Sequence, residues 1–379
     1  MTKRVAVLVR TTKMCAGAAI AILCLAACQP SRIDAVCQHL EHGLYVNAQA
    51  KSFGTGHGWH SPLPTIRHAV AAARGDPSIR NIYVAGGTHT VKTETGTENT
   101  LEPVLLLQDI HGVTLWGGFK GNETCLQQRP PQPASTGGTI LSGRIIGGAG
   151  EADEYTRHVV VVGDNVTSVT LDGFVIQDGR AVACPADVAM QRCEDGGGLL
   201  LQKIPQDLKI RNTVFAHNHA VGDGGGLLLR ECSTCVLDNC RFQFNQAQRG
   251  AAVAILDTKP PGPQSPVFVV RESVFHNNQA ARGAGVYAGG TDLLIKSSVF
   301  RNNHAQDGAG VGLYSGSRLG LTKSVFERNR AVGRGAAVFV DWTSNISDVN
   351  QGENRLRGNT QAGGSAVSIA KSPGDQQAE

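Results

Sequence analysis

Two aspartates occupy matching places in the sequence, each just before a run of three glycines. Asp195 precedes Gly196-Gly197-Gly198, and Asp223 precedes Gly224-Gly225-Gly226. If the two segments stack as neighbouring strands, the carboxylates lie about 5 Å apart. Such a pair can bind calcium or share a proton, and glycosidic hydrolysis also needs two carboxyl groups. Asp195 and Asp223 are therefore the candidate catalytic residues of this chain.

Later segments carry arginine at this place as often as aspartate. The alternative interpretation of the pair is a surface column of mixed charge in which Arg249 offsets the two carboxylates. We favour this interpretation because charge networks are common in structural roles. In chain order the column contains Asp195, Asp223, Arg249, Arg282, Asp307 and Arg334.

Few other residues suggest chemistry. The sequence lacks a phosphate-binding loop, a Gly-x-Ser-x-Gly motif and a His-Glu-x-x-His motif, so a nucleotide is not expected. No metal site and no cofactor are predicted, and calcium at the aspartate pair is the only candidate. Four histidines without metal-ligand spacing are interpreted as solvated turn residues: His217, His219, His276 and His304. The tryptophans are predicted to pack in the core or the cap, which leaves no aromatic sugar platform evident: Trp59, Trp116 and Trp342.

Repeats of roughly 26 residues between Leu208 and Val340 would position these side chains. Each repeat contains a short alternating strand, the motif Phe-x-x-Asn, an alanine two residues later, a glycine-rich step and an apolar run. Successive phenylalanines are 27, 33, 25 and 26 residues apart. The aligned pairs are Phe215 with Asn218, Phe242 with Asn245, Phe275 with Asn278, Phe300 with Asn303, and Phe326 with Asn329.

This periodicity predicts an all-β fold, a single-stranded right-handed parallel β-helix in which each coil supplies about three short strands. The phenylalanines are expected to stack in an inward column. The asparagines are expected to form a ladder at a tight turn, because Asn tolerates left-handed backbone and its amide can bond the Asn above and below. The ladder is thus predicted to be architectural rather than catalytic.

The repeat resembles that of the polymorphic outer-membrane proteins, defined by Phe-x-x-Asn and Gly-Gly-Ala followed by an apolar residue. Five Phe-x-x-Asn copies match, and the glycine motif matches loosely, as in Gly308-Ala-Gly-Val311. The resemblance implies a β-helix and surface exposure. The segment from Tyr45 to Gly86 resembles the opening of many bacterial pectin-lyase-like proteins. Within it, one face of a short helix is predicted to cap the first coil, formed by Ile66, Ala69, Val70 and Ala73.

The first 27 residues follow the plan of a signal peptide, with basic residues before an apolar stretch from Met14 to Ala27. The stretch ends in Leu-Ala-Ala-Cys28, which resembles the lipobox of bacterial lipoproteins. The resemblance implies cleavage before Cys28, diacylglycerol on its sulfur and, because Gln29 follows, anchorage in the outer membrane of the cell envelope. The alternative is an ordinary secretory signal with a chance cysteine.

The predicted organisation is a signal peptide at 1–27, a lipid-anchored tether at 28–44, a β-helix at 45–370 and a flexible polar tail at 371–379. The cap covers about 45–90, and the most regular repeats cover 208–340. Cleavage removes four basic residues and no acidic one, so 35 basic and 31 acidic residues become 31 and 31. This balance does not favour nucleic acid as a partner.

Ten cysteines fit an oxidising compartment. Cys184 and Cys193 bracket a short insertion and are the predicted disulfide. The spacing of Cys232 and Cys235 could suggest zinc, but a fourth ligand is missing, so a disulfide is favoured. The connectivity within one set stays open: Cys37, Cys125, Cys232, Cys235 and Cys240.

Two functions are consistent with these features. The first is a non-enzymatic envelope lipoprotein whose β-helix is a scaffold or adhesin-like surface for a partner such as a glycan. The second is a lyase or hydrolase of uronate-containing polysaccharide that uses Asp195 and Asp223. A purely structural envelope protein is a third option. The expected lipid anchor, the regular repeat and the lack of a convincing cluster of carboxylates favour the first.

Replacing Cys28 by serine tests the anchor. The variant should lack the diacylglycerol mass and leave the membrane fraction, because acyl transfer requires the thiol. Intact-mass measurement of the mature chain checks this. A wild-type chain whose Cys28 carries no lipid would contradict the prediction.

Overall fold

The computed structural model describes residues 37–91, 102–132, 138–145, 154–182, 193–201, 206–230, 232, 234–256, 268–349, 353–361 and 366–369. The predicted signal peptide, Cys28, Cys184 and the predicted tail at 371–379 lie outside these residues. No helix among the described residues has both the length and the apolar character needed to cross a membrane.

Four parallel sheets run along the molecule, and successive strands of a coil enter sheets I, II, III and IV in turn. The strands of sheet I are Leu44–Val46, Asn81–Ala85, Ile110–His111, Thr114–Phe119, Val166–Asp172, Gln206–Arg211, Cys235–Asp238, Phe268–Arg271, Asp292–Lys296, Arg318–Thr322 and Asn345–Val349. Those of sheet II are Gly87–His89, Thr139–Ser142, Phe174–Gln177, Val214–Ala216, Arg241–Gln243, Val274–His276, Val299–Arg301, Val325–Glu327 and Arg355–Arg357.

Sheets III and IV complete each coil. The strands of sheet III are Arg180–Ala181, His219–Ala220, Gln246–Arg249, Gln279–Arg282, His304–Ala305, Arg330–Ala331 and Thr360–Gln361. Those of sheet IV are Leu105–Leu107, Val160–Val162, Leu199–Leu201, Leu227–Arg230, Val253–Leu256, Val286–Gly289, Val311–Tyr314, Val338–Val340 and Val367–Ile369. An antiparallel pair, Arg144–Ile145 with Glu154–Tyr155, lies outside them. A regular coil therefore has four strands rather than the predicted three. The segment that was predicted as one strand before each Phe-x-x-Asn motif is divided between sheets I and II.

The predicted phenylalanine column is confirmed. Phe215, Phe242, Phe275, Phe300 and Phe326 are fully buried, and neighbouring rings stack nearly parallel with centroids 4.5–5.0 Å apart. The column belongs to a continuous core of inward Leu, Ile and Val side chains from sheets I, II and IV. One coil cannot enclose this core alone, so stacking supplies most of the hydrophobic stabilisation.

The asparagine ladder lies at the corner between sheets II and III. Nδ2 of Asn245 donates to Oδ1 of Asn278 and to the carbonyl of Phe215, both at 3.0 Å. Oδ1 of Asn278 also accepts the backbone N–H of Asn245 at 3.1 Å. The same pattern runs from Asn218 to Asn359. Each buried amide is satisfied only when the coils stack in register.

The left-handed residue of this corner was predicted at the wrong place. Positive φ falls one residue before each ladder Asn. The residue before the ladder Asn adopts the left-handed conformation and faces outward. The ladder Asn itself does not, and its amide points into the core. The left-handed residues before the ladder Asn are His217, Phe244, Asn277, Asn302, Arg328 and Gly358, and Asp178 before Gly179 takes the same place in an earlier coil, with φ between 53° and 64°.

The corner between sheets I and II has the same design. A left-handed residue such as Ser297 precedes a buried hydroxyl such as Ser298. The backbone N–H of Ser298 donates to Oγ of Ser324 at 3.2 Å, and Oγ of Ser298 donates to the carbonyl of Lys296 at 2.8 Å. Cys240 occupies the equivalent place in an earlier coil. Hydrogen bonds between coils thus stabilise two corners of each regular coil.

Glycine is required at the corner between sheets III and IV. Gly224 has φ +68°, and a Cβ there would lie 2.7 Å from Cβ of Leu228. Gly283 and Gly335 meet Tyr287 and Phe339 in the same way. The glycine-rich step of the repeat is therefore a steric requirement of the fold.

The predicted capping helix spans Ile66–Gly75 and buries the expected face. Oγ1 of Thr65 accepts the backbone N–H of His68 at 3.3 Å, which satisfies one free donor of the first turn. The buried residues are Ile66, Ala69, Val70 and Ala73.

Replacing Asn278 by alanine removes four buried hydrogen bonds of the ladder. It should lower the free energy of unfolding by about 3 kcal/mol, because Phe242 O and both neighbouring amides lose partners. Chemical denaturation measures the change. Asn302→Gly is the matched control, because Asn302 is exposed and left-handed, and it should change stability by about 0.5 kcal/mol or less. Equal losses in both variants would contradict the architectural role.

Candidate functional site

The predicted column of charged residues stacks in register beside the glycine corner. The N–H of Gly196 donates to the carbonyl of Asp223 at 2.7 Å, and the N–H of Gly224 donates to that of Arg249 at 2.9 Å. Bridges also pair Asp223 with Arg249 and Arg282 with Asp307. The structure therefore places Asp195 and Asp223 in adjacent coils.

Both carboxylates are engaged by protein groups. Oδ1 of Asp195 accepts the backbone N–H of Asp223 at 2.7 Å. Asp223 is 2% exposed, and Arg249 binds it with two hydrogen bonds, Nε to Oδ1 and Nη2 to Oδ2, each 2.6 Å long. Nη2 of Arg230 lies 3.5 Å from Oδ2 of Asp223 and 3.9 Å from Oδ2 of Asp195. Two guanidinium groups thus balance the two carboxylates.

The bidentate contact from Arg249 engages both carboxylate oxygens of Asp223, as in a structural ion pair. In the part of the chain that the structure describes, no group of three or more His, Cys, Asp or Glu side chains is placed to hold a metal ion.

Aromatic rings lie under the arginines of the column. The Arg249 guanidinium is 5.3 Å from the Tyr287 ring centroid, and Arg334 is 4.7 Å from that of Phe339. The Tyr287 and Tyr314 rings stack with centroids 4.8 Å apart. These rings form a second, smaller apolar layer on the outer face of sheet IV. The layer holds the guanidinium groups flat and partly exposed along that face.

Two residues beside this site were not identified from the sequence. His158 is 2% exposed, and its Nδ1 donates to the carbonyl of Gly196 at 3.1 Å, whereas its Nε2 has no hydrogen-bond partner. Nη1 of Arg157 is also buried without a partner. Burial lowers the pKa of His158 to about 4, so its imidazole is neutral at pH 7. The sequence does not show this burial, because it depends on the packing of His158 against the segment around Gly196, which is distant along the chain.

A disulfide, which the sequence favoured over zinc in this segment, joins Cys232 to Cys235, a pairing that the sequence left open. Cys240 is a buried free thiol whose pKa burial raises to about 12, so it is protonated at neutral pH. Cys193 is disulfide-bonded, but Cys184 lies outside the described residues, and that pairing stays a prediction.

One tryptophan was placed wrongly. Trp59 packs in the cap, where its indole N–H donates to Glu123 O. Trp116 is partly buried in a strand of sheet I, and its indole N–H donates to Asn81 Oδ1. Trp342 instead lies after a strand of sheet IV and is 57% exposed. Sequence reasoning also missed Phe244, which is 43% exposed, because it lies within a Phe-x-x-Asn motif that otherwise indicates core.

Comparison with known proteins agrees with this topology. Residues 197–371 match the model of the family described as the right handed beta helix region. The parallel sheets extend the same coil towards the cap, and the fold is a right-handed parallel β-helix, as predicted.

Individual relatives are distant. The metabotropic glutamate receptor-like protein R of Dictyostelium discoideum is 29% identical over 137 residues, which cover 35% of this chain and only 8% of that protein. Pectate lyase Pel9A is 12% identical, with a TM-score of 0.47 over 89% of this chain and 83% of its own. The Streptococcus pneumoniae surface protein and adhesin PfbA is 12% identical, with a TM-score of 0.30 over 81% and 95%. These identities are too low to assign an activity.

Acid should destabilise the fold through His158. In the unfolded chain its pKa returns to about 6.5, so between pH 6.5 and 4 the unfolded state binds a proton that the folded state excludes. The stability that neutral His158 contributes is fully present above pH 6.5, and the free energy of unfolding falls by about 2 kcal/mol by pH 5. The free energy of unfolding lost between pH 7.5 and 5 should be about 2 kcal/mol smaller in His158→Asn, which retains a donor for Gly196, than in the wild type. The rest of the loss comes from other groups, such as His89, whose pKa burial also lowers to about 4. The control His60→Gln, at an exposed site, should lose as much as the wild type. An unchanged acid loss in His158→Asn would refute this.

Proposed function

We propose that this protein is a non-catalytic, polysaccharide-binding scaffold of the cell envelope, anchored through Cys28. The observation that carries the proposal is the double hydrogen bond from Arg249 to Asp223. It commits the best carboxylate candidate to an ion pair and leaves arginine, rather than aspartate, as the exposed chemistry of that column.

The outer face of sheet IV supports a binding role. Arg249 and Arg334 have side chains 37% and 55% exposed, and each lies over an aromatic ring. Nε and Nη2 of Arg249 bind Asp223, so its remaining N–H groups and those of Arg334 are the donors that can bond carboxylates and hydroxyls of a polymer. Coils about 4.8 Å apart repeat these donors along the axis, so an extended chain can contact several coils at once.

The second candidate function is a lyase or hydrolase that uses Asp195 and Asp223, which the structure places in adjacent coils. Catalysis would require Arg249 to release Asp223, so that the carboxylate could bind calcium or move a proton.

A binding and turnover assay separates the two. The full chain should bind uronate-containing polysaccharide in affinity electrophoresis and release no unsaturated or reducing ends, with or without calcium. Asp223→Asn should leave this lack of turnover unchanged and should destabilise the fold by about 1–2 kcal/mol, because Arg249 loses a charged partner. Asp292→Asn, which weakens the ion pair with the partly exposed Arg318, is the matched control.

Turnover by the wild type that disappears in Asp223→Asn but persists in Asp292→Asn would contradict the scaffold and establish the enzyme. Absence of binding to any polysaccharide would contradict both functions.

A further inference from the structure

One corner residue departs from the pattern of its column. The left-handed place before the asparagine ladder holds Asp, His, Asn, Arg or Gly in the other described coils, and Phe244 in one, at φ 56°. His217 and Arg328 share this conformation, but Phe244 is the apolar residue of the column. Its penalty relative to Gly or Asn is not offset by burial, because Phe244 is 43% exposed. Strain at an exposed place points to a role outside stability.

Two histidines hold the Phe244 ring in place. The ring of His217 stacks on it with centroids 5.1 Å apart and planes 7° apart. His276 meets it edge-on at 5.4 Å, and Nε2 of His276 is 3.0 Å from Oε1 of Gln243. The ring is therefore oriented before any ligand arrives, which reduces the entropy lost on binding.

A shallow groove of about 410 Å³ begins two residues beyond Phe244, on the outer face of sheet III. His219, Gln246 and Gln279 lie along it in three successive coils, in strand register. Alanines form its floor. Among the described residues, none that lines the groove is acidic, Arg or Lys. The groove therefore offers amide donors and acceptors without fixed charge.

We infer that Phe244 and this groove form a binding site for an uncharged saccharide. The part of the Phe244 ring that His217 and His276 leave exposed packs against one sugar ring, and the amides of Gln246 and Gln279 bond the hydroxyls of its neighbours along the axis. The site lies on sheets II and III, away from the arginine column of sheet IV. The inference rests on the proposed polysaccharide-binding function and names a site and a ligand class for it.

The test uses the full chain and calorimetric titration with linear neutral hexasaccharides of glucose, mannose, xylose and galactose. Oligogalacturonate of the same length is the acidic arm. Wild type should bind at least one neutral hexasaccharide, and Phe244→Asn should bind it at least tenfold more weakly. Trp342→Ala, which removes an exposed aromatic ring elsewhere, should bind as wild type does.

Stability provides the second measurement. Phe244→Asn should raise Tm by a few degrees, because Asn suits the left-handed corner and removes an exposed apolar ring. Weaker binding together with a higher Tm supports the site, since a packing role would lower Tm. A lower Tm, or unchanged binding, would overturn it. If only oligogalacturonate binds wild type, this inference fails and the proposed function stands; if nothing binds, both fail.

Discussion

The molecule depends on one constraint, which is that buried polar groups at the corners find partners only in the next coil. Oδ1 of Asn278 accepts two hydrogen bonds from Asn245, and its Nδ2 donates to Asn303 and to the Phe242 carbonyl. A shift of one residue would leave several of these groups unsatisfied, each at a cost of about 1–3 kcal/mol. The hydrophobic column beneath is less selective, because a Phe ring tolerates sliding better than an amide does.

The same register organises the surface. Side chains that point outward repeat at the coil spacing, so they form columns whether or not they have a function. Asp195, Asp223 and Arg249 became neighbours in this way, and their hydrogen bonds show a balanced charge network. Functional residues are better recognised in a β-helix by departure from their column. Phe244 is such a departure, since it is strained, exposed and apolar where its column is polar.

Much of the fold could be predicted from spacing alone. Phe-x-x-Asn and the glycine step fixed the register, and with it the proximity of Asp195 and Asp223. The division of sheet I from sheet II could not be predicted. The corner between their strands is only two residues long, as at Ser297 and Ser298, so in the sequence the two strands look like one. The burial of His158 and the exposure of Phe244 depend on segments distant in sequence or on backbone conformation. Neither the burial of His158 nor the exposure of Phe244 produces a periodic pattern that can be recognised in one sequence.

Hydrogen exchange at the ladder tests the central claim most directly. The backbone amides of Asn245, Asn278 and Asn303 each donate to the next Asn side chain at 3.0–3.1 Å. If these bonds hold the coils in register, the three amides should exchange only through global unfolding, with equal free energies of opening among the highest in the chain. Exchange as fast as that of exposed corner amides would contradict the account.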